Sequence, residues 1–100
     1  MNFKIIWTFS ALNSYHEEID YILFKWNLKE VIKFEKLVIN EIIKVSKNPL
    51  IGKLSINNTY SLTISKQTTL FYKINKNSNL IELILFWNNL KNPNELGKLL

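Results

Sequence analysis

The sequence predicts a single α+β domain with an N-terminal strand, an antiparallel helical hairpin, and then a three- to four-stranded antiparallel sheet. Three observations support this prediction. The chain has 100 residues, which is the length of one domain. Apolar residues recur with a helical period through residues 11–47, and they recur with a period of two from residue 60 onwards.

The N-terminal region predicts a strand over residues 3–8, followed by a helix over residues 11–26 with Ser10 as its N-cap. The apolar side chains of the strand share one face: Phe3, Ile5 and Trp7. The apolar side chains of the helix fall in one row: Leu12, Tyr15, Ile19, Ile22 and Trp26. We expect both apolar faces to be buried.

The second helix is predicted over residues 28–47, and it is apolar over a wide arc. One row consists of Val31, Phe34, Val38, Ile42 and Val45. A second row, about a quarter turn away, consists of Leu28, Ile32, Ile39 and Ile43. The third side is basic and carries Lys29, Lys33, Lys36, Lys44 and Lys47. We expect one apolar row to pack on the sheet and the other on the first helix.

After Asn48, Pro49 and Gly52, which end the helix, apolar and polar residues alternate as in strands. The inward positions of two strands are Tyr60, Leu62 and Ile64, and Leu70, Tyr72 and Ile74. Residues 75–79 predict a hairpin loop, and residues 80–87 predict a central strand that is covered on both faces. Leu96, Leu99 and Leu100 are expected to pack back onto the fold. The predicted common core is Trp7, Ile22, Phe34, Val38, Leu62, Tyr72 and Leu83.

Composition excludes several kinds of site. Cysteine is absent, which excludes disulfides, thiolate metal sites and cysteine nucleophiles. The single histidine excludes a histidine-rich metal cage, and we expect neither a metal nor another cofactor. The net charge is +5 and every basic residue is a lysine, so the surface favours an anionic partner but offers no bidentate arginine contact. No apolar stretch is long enough to span a bilayer, and we expect a cytoplasmic protein without a membrane partner.

The order of several short motifs resembles the RelE/ParE superfamily of toxins from type II toxin–antitoxin pairs, and ParE in particular. The resemblance extends over about residues 3–96. The motifs are Ile6-Trp7-Thr8 followed by Ala11-Leu12, then Tyr21-Ile22, Asn48-Pro49-Leu50-Ile51-Gly52, Leu70-Phe71-Tyr72-Lys73-Ile74, and Asn88-Asn89 with Asn92-Pro93. The chain departs from the family at Lys73, Ser61 and Leu90, where arginine is usual.

The resemblance implies one toxin domain over residues 1–100, as in plasmid stabilisation modules. A ParE-like toxin acts by binding DNA gyrase, and a cognate antitoxin neutralises it in a hetero-oligomer, commonly through a helix laid over an apolar groove. One alternative is a RelE-like, ribosome-dependent mRNA endonuclease, which would contact the ribosome and RNA. Another alternative is an inactive homologue that only binds its antitoxin.

The candidate site residues come mainly from the late strands, which form the concave working surface in the resembled fold. The catalytic candidates are Lys66, Tyr72, Lys73 and Lys91, although the alternation around Tyr72 also predicts a core position. The partner-binding candidates are Tyr21, Phe24, Lys66, Lys73, Asn88 and Lys91. Tyr21 and Phe24 lie off the apolar row of the first helix, and we expect both to be exposed. His16 is expected on the surface of the first helix, away from the late strands, and the acidic residues Glu17, Glu18 and Asp20 are expected on a solvated face. Because no base with a pKa near neutrality accompanies the lysines, we expect an activity based on binding rather than on cleavage.

Overall fold

The computed structural model describes residues 2–100. The helices are α1 (Phe9–Lys25), α2 (Leu28–Lys47) and the short C-terminal α3 (Leu96–Leu99). The strands are β1 (Lys4–Trp7), β2 (Lys53–Leu54), β3 (Tyr60–Thr63), β4 (Thr68–Asn75) and β5 (Leu80–Asn88). Short 3₁₀ turns occupy Pro49–Ile51, Ile56–Asn58 and Pro93–Glu95. The predicted α+β order of elements is confirmed.

The described strands form one sheet in the order β1-β5-β4-β3-β2. β1 runs parallel to β5, and the other neighbouring strands are antiparallel. The central position predicted for residues 80–87 is confirmed, because β5 lies between β1 and β4. The sheet nevertheless has five strands, since β1 joins it and the two residues of β2 extend its other edge.

Thr8 joins the first strand to the first helix. Its hydroxyl accepts a hydrogen bond from the Ala11 N–H (3.1 Å) and therefore caps α1. Both its N–H and its hydroxyl donate to the carbonyl oxygen of Leu83 (3.2 and 2.7 Å). The prediction of Ser10 as the cap was wrong, because Thr8 has the extended backbone that a cap needs and α1 begins two residues earlier than expected.

The face that α1 presents to the sheet is smaller and more polar than the predicted row. Its buried residues are Ala11, Ser14, Glu18 and Ile22. Leu12 and Trp26 of the predicted row are 44% and 51% exposed, so that part of the prediction was wrong. Small side chains allow a close approach to β5, where the Ser14 hydroxyl accepts a hydrogen bond from the Phe86 N–H (2.9 Å).

One apolar row of α2 is buried and the other is exposed. Val31, Phe34, Val38 and Val45 are buried, as predicted for the first row. The second row was expected to pack on a neighbour, and that prediction was wrong: Leu28, Ile32, Ile39 and Ile43 are all exposed. The five lysines of the third side are exposed, as predicted. Within residues 2–100, no helix combines the length and the hydrophobicity required to cross a membrane.

The core lies between the sheet and the two long helices. Ile22, Phe34, Val38, Tyr72 and Leu83 of the predicted core are buried, and the half-buried Leu62 packs against them. Trp7 is 38% exposed, which corrects its predicted burial. Its ring stacks on Phe86 (5.5 Å between centroids) and meets Tyr15 edge-on, so it covers the border of the core.

A second apolar cluster lies on the face of the sheet that the long helices leave open, which we call the outer face. Phe71, Leu85 and Trp87 are buried there, and Leu96 and Leu100 of the C-terminal segment pack against them. The predicted return of this segment is therefore confirmed for Leu96 and Leu100, whereas Leu99 is 51% exposed. The central strand is covered on both faces.

Candidate functional site

The end of β5 and the turn between β3 and β4 meet at one end of the sheet. The Asn89 N–H donates a hydrogen bond to the Gln67 carbonyl oxygen (2.7 Å). The Asn89 side-chain amide donates to the Lys66 carbonyl oxygen (3.0 Å), and the Thr69 hydroxyl donates to the Asn89 side-chain oxygen (2.9 Å). These bonds hold the exposed Lys66 close to the residues that follow β5.

Lys91 follows β5 and contacts helix α1. Its Nζ lies 3.7 Å from a Glu17 carboxylate oxygen and 5.7 Å from the centroid of the Trp87 ring. The Lys91 and Glu17 side chains are 52% and 67% exposed, so solvent screening limits the pair to at most about 1 kcal/mol of stability. The pair borders a cleft of about 190 Å³ between α1, β5 and Leu99. Through Glu17, helix α1 therefore reaches the residues that follow β5.

Glu18 is buried at 3% exposure, which corrects its predicted place on a solvated face. Its carboxylate accepts hydrogen bonds from the Thr68 hydroxyl (2.6 Å) and from the Gln67 side-chain amide (3.3 Å). The buried carboxylate is tolerated because hydrogen-bond donors meet it inside the protein. The one sequence signal for this position is its spacing, since Glu18 lies four residues after Ser14 and seven after Ala11, on the face of α1 that meets the sheet.

We call Glu17, Lys66, Asn89 and Lys91 the β5-end cluster. Two adjacent glutamates connect α1 to the rest of this cluster. Glu17 pairs with Lys91, and Glu18 accepts a hydrogen bond from Thr68 after the β3–β4 turn. In the cluster the Lys91 ammonium group contacts the Glu17 carboxylate, and the Asn89 amide binds the backbone of the exposed Lys66. The cluster can bind an anionic group, and its carboxylate can accept a proton. Among the described residues, no group of three or more metal-ligating side chains occurs.

Asn88 lies at the same end of the sheet, but its side chain is buried. Its side-chain oxygen accepts a hydrogen bond from the Leu90 N–H (2.9 Å) and shapes the turn after β5. The structure therefore gives this partner-binding candidate an internal position. The exposed Asn89 takes its place at the surface.

Tyr72 and Lys73 lie outside the β5-end cluster. Tyr72 is fully buried, and burial raises the pKa of its phenol, an effect that the Gly52 N–H opposes and Tyr60 reinforces. Lys73 faces the outer side of the sheet opposite Glu82. It is five residues along β4 from Thr68, a distance of about 17 Å at strand spacing. The structure does not bring these two candidates together with Lys66 and Lys91.

The aromatic candidates on α1 lie at the junction with α2. Phe24 is 91% exposed, as predicted, whereas Tyr21 is half-buried, which corrects its predicted exposure. The Lys25 ammonium donates to the Tyr21 hydroxyl (3.2 Å) and lies over the rings of Tyr21 and Trp26 (5.6 and 5.4 Å from the centroids). Phe24, Trp26 and Leu28 are exposed where α1 ends and α2 begins, at the tip of the helical hairpin. His16 is exposed, as predicted, and its ring meets Tyr15 edge-on.

No protein-family model matches the chain, and no curated protein matches its sequence. Solved structures do match its fold. The chain is similar to a protein of the chromosomal ParDE toxin–antitoxin system of Pseudomonas aeruginosa, with a TM-score of 0.72, 12% identity, and coverage of 86% of this chain and 95% of that one. It is also similar to a chain of a RelBE toxin–antitoxin complex from Mycobacterium tuberculosis, with a TM-score of 0.61, 16% identity, and coverage of 89% and 100%.

A third similar structure is a YoeB/ParE toxin from Agrobacterium tumefaciens, with a TM-score of 0.61, 15% identity, and coverage of 86% of this chain and 98% of that one. All three structures are matched over nearly their whole length. Likeness at such low sequence identity establishes architecture and leaves activity to be argued from the site. This protein has the fold of the RelE/ParE toxins.

Proposed function

We propose that this protein is the toxin of a type II toxin–antitoxin module, that it acts by binding with DNA gyrase as its target, and that a cognate antitoxin neutralises it. Its likeness in fold to the ParDE protein supports the first part of the proposal. The chemistry of the outer face supports the second part. The gyrase target follows from the resemblance to ParE.

The observation that favours binding over cleavage is the composition of the outer face beside the end of β5. The late strands form the working surface in the resembled fold. Here the side chains at that place are Phe71, Leu85 and Trp87, and the C-terminal segment covers them. Phosphodiester cleavage requires proton transfer and stabilisation of developing charge, and these covered apolar side chains supply neither. Binding to a macromolecule needs no such groups.

The antitoxin partner is supported by the exposed apolar side chains of the helical hairpin. Phe24, Trp26 and Leu28 are 91%, 51% and 61% exposed at its tip. A contiguous apolar patch on a small domain usually marks an interface. We therefore propose that the protein occurs as a hetero-oligomer with its antitoxin.

A RelE-like, ribosome-dependent mRNA endonuclease is the second candidate, and one specific contact favours it. Glu17 lies 3.7 Å from Lys91 in the β5-end cluster. In this reading Glu17 accepts a proton, while Lys66 and Lys91 stabilise charge on the phosphate. A third reading, an inactive homologue that retains only antitoxin binding, predicts no effect on the cell.

Expression of the chain alone in a bacterial host separates the three readings. Growth arrest with DNA damage and intact mRNA supports the gyrase-binding toxin. Immediate arrest of translation with cleaved mRNA supports the endonuclease. Normal growth at a verified level of folded protein supports the inactive homologue.

Purified components then test the mechanism. We expect no cleavage of mRNA on ribosomes by the wild-type protein. Cleavage that is lost in Lys91→Ala, Lys73→Ala or Glu17→Gln but kept in Lys98→Ala, an exposed lysine of α3, would overturn the binding activity. We also expect Lys66→Ala and Lys91→Ala to weaken binding to gyrase and to reduce its dependence on salt.

A further inference from the structure

The turn between β4 and β5 consists of consecutive exposed polar residues, Asn75-Lys76-Asn77-Ser78-Asn79. The Asn79 N–H donates a hydrogen bond to the Lys76 carbonyl oxygen (3.4 Å), so Asn77 and Ser78 are the two central residues of a β-turn. Within the described part of the chain, the Asn77 side chain makes no hydrogen bond. Its amide group is therefore free to rotate onto the backbone that follows it.

An asparagine side chain in such a turn is chemically reactive towards its own backbone. The backbone nitrogen of the next residue loses its proton and attacks the side-chain carbonyl carbon. A new C–N bond closes a five-membered succinimide ring, and the side-chain nitrogen takes up a proton from water and leaves as ammonia. Water then opens the ring at either carbonyl and gives aspartate or isoaspartate. No atom changes its oxidation state, and water is the only co-reactant.

The attack is favoured by a small following residue and by a backbone that can bend. Serine follows asparagine twice in the chain, at Asn13-Ser14 and at Asn77-Ser78, and glycine follows none. Both asparagines are exposed, but Asn13 lies inside α1, where the helical hydrogen bonds hold the Ser14 N–H and fix the backbone. The chain therefore contains the same dipeptide in one helical setting and in one turn.

One contact within the turn opposes the reaction. The Ser78 N–H, which supplies the attacking nitrogen, donates a hydrogen bond to the Asn75 side-chain oxygen (3.2 Å). This bond stabilises the protonated amide and directs it towards Asn75 and away from Asn77. Because the bond is exposed to water, it slows the attack without preventing it.

We propose that Asn77 is a site of spontaneous deamidation in the folded protein, that Asn75 slows the reaction by holding the Ser78 N–H, and that α1 protects Asn13. The product at position 77 is a mixture of aspartate and isoaspartate. The inference rests on the β4–β5 turn and is independent of the proposed function.

The modification changes both the charge and the length of the turn. A carboxylate replaces a neutral amide beside Lys76, which lowers the net charge of +5 by one unit. Isoaspartate also adds one backbone atom before Ser78, in the turn that sets the register of β4 with β5. The turn and the β5-end cluster lie at opposite ends of the nine-residue β5, about 30 Å apart at strand spacing. We therefore expect the turn to loosen and the cluster to stay intact.

The test incubates the folded protein at neutral and at mildly alkaline pH and follows the products by peptide mapping with mass spectrometry. Synthetic peptides with aspartate or isoaspartate at position 77 identify the two products. We expect Asn77 to react at least about tenfold faster than Asn13, because attack at Asn13 requires local opening of α1. The rate should rise with the hydroxide concentration. In concentrated urea the two sites should react at similar rates, because the unfolded chain exposes the same dipeptide twice.

Four variants locate the determinants of the rate. Asn77→Gln should stop the reaction at this turn, because the larger ring that glutamine would form closes far more slowly. Ser78→Val should slow it several-fold, since a branched side chain hinders the attacking nitrogen. Asn75→Ala should accelerate it several-fold, whereas Asn75→Asp, which keeps an acceptor oxygen, should not exceed the wild-type rate. Circular dichroism verifies the fold of each variant.

Three results would overturn the inference. They are modification of Asn13 or another asparagine of the folded protein ahead of Asn77, a rate that Ser78→Val leaves unchanged, and a natively folded Asn75→Ala that reacts no faster than the wild type. If Asn75→Ala does not fold, the comparison with Asn13 and the rate of Ser78→Val decide. Hydrogen exchange of the incubated protein should show faster opening of the β4–β5 turn and unchanged protection of the Asn89 N–H.

Discussion

The hydroxyl of Tyr72 accepts a hydrogen bond of 3.1 Å from the N–H of Gly52. The same hydroxyl donates to the carbonyl oxygen of Pro49 (2.6 Å). A Cβ atom at position 52 would come within 2.6 Å of that hydroxyl oxygen and 2.9 Å of the Ser61 carbonyl oxygen. The backbone that leaves α2 is therefore held against the middle of the sheet, and only glycine permits the approach. This contact explains the Asn48-Pro49-Leu50-Ile51-Gly52 segment in physical terms.

Gly52→Ala should destabilise the protein by about 1–3 kcal/mol, because the added methyl group forces Tyr72 or the β3 backbone to move. The free energy of unfolding is measured in urea. Gly97→Ala is the matched control, since the nearest atom to its new Cβ is an Ile56 methyl carbon at 3.9 Å. Equal losses in the two variants would contradict the close approach.

Tyr72→Phe should cost about 1–3 kcal/mol at neutral pH, because the Gly52 N–H and the Pro49 carbonyl oxygen lose their buried partner. Tyr60→Phe is the control, since the Tyr60 hydroxyl makes no hydrogen bond to another described residue and its ring remains to stack on Tyr72. Urea unfolding at pH 7 measures both. A loss for Tyr60→Phe as large as that for Tyr72→Phe would contradict the role of the hydroxyl.

The stability of the wild-type protein should also fall at alkaline pH through Tyr72. Burial raises the pKa of its phenol above the unfolded value of about 10. The stabilisation by the neutral phenol is therefore complete below pH 10 and is lost as the pH rises through the raised pKa. Unfolding free energies measured across this range should decline less steeply for Tyr72→Phe than for the wild type. Parallel curves would show that the phenol titrates alike in both states.

Phe34→Ala should destabilise the protein by about 3–5 kcal/mol, because Phe34 is 4% exposed and its ring stacks on Tyr15 in the core. Leu37→Ala changes a residue of the same helix that is 42% exposed, and it should cost far less. Denaturant unfolding measures both variants. A loss below about 1 kcal/mol for Phe34→Ala would contradict the packing of α2.

Glu18→Ala should cost about 1–3 kcal/mol, because the Thr68 hydroxyl and the Gln67 amide lose their acceptor inside the protein. Glu17→Ala removes a neighbouring, largely exposed carboxylate and should change stability by less than about 1 kcal/mol. Hydrogen exchange should report faster opening of the β3–β4 turn in Glu18→Ala alone. Unchanged exchange at this turn would show that Glu18 does not stabilise it.

Sequence periodicity predicted those elements whose burial follows from large apolar side chains. The core row of α2, the central position of β5 and the burial of Tyr72 are of this kind. The same reasoning failed for α1, because close packing on β5 favours Ala11 and Ser14 over the larger residues that a hydrophobic row selects. It also could not reveal that β1 pairs with β5, since strand pairing leaves no periodicity in either segment.

The candidate site was predicted only in part, since it depends on contacts between distant segments. Lys66 and Lys91 were identified as charged residues near the ends of late strands, and the structure places both at the same end of the sheet. Glu17 reaches Lys91 only because α1 crosses β5, which neither local sequence indicates. Glu18 was missed because a carboxylate is normally solvated, and its burial depends on donors from Gln67 and Thr68.

The parallel pairing of β1 with β5 has a consequence for the order of events during synthesis. β1 is synthesised well before β5, its strand partner among the described residues, which begins at Leu80. The two hydrogen bonds from Thr8 to the Leu83 carbonyl oxygen likewise cannot form until Leu83 has been synthesised. Until β5 has emerged from the ribosome, the nascent chain therefore lacks the strand on which α1 packs. Contacts of such long range slow folding, so β1 and α1 reach their final packing only after β5 has left the ribosome.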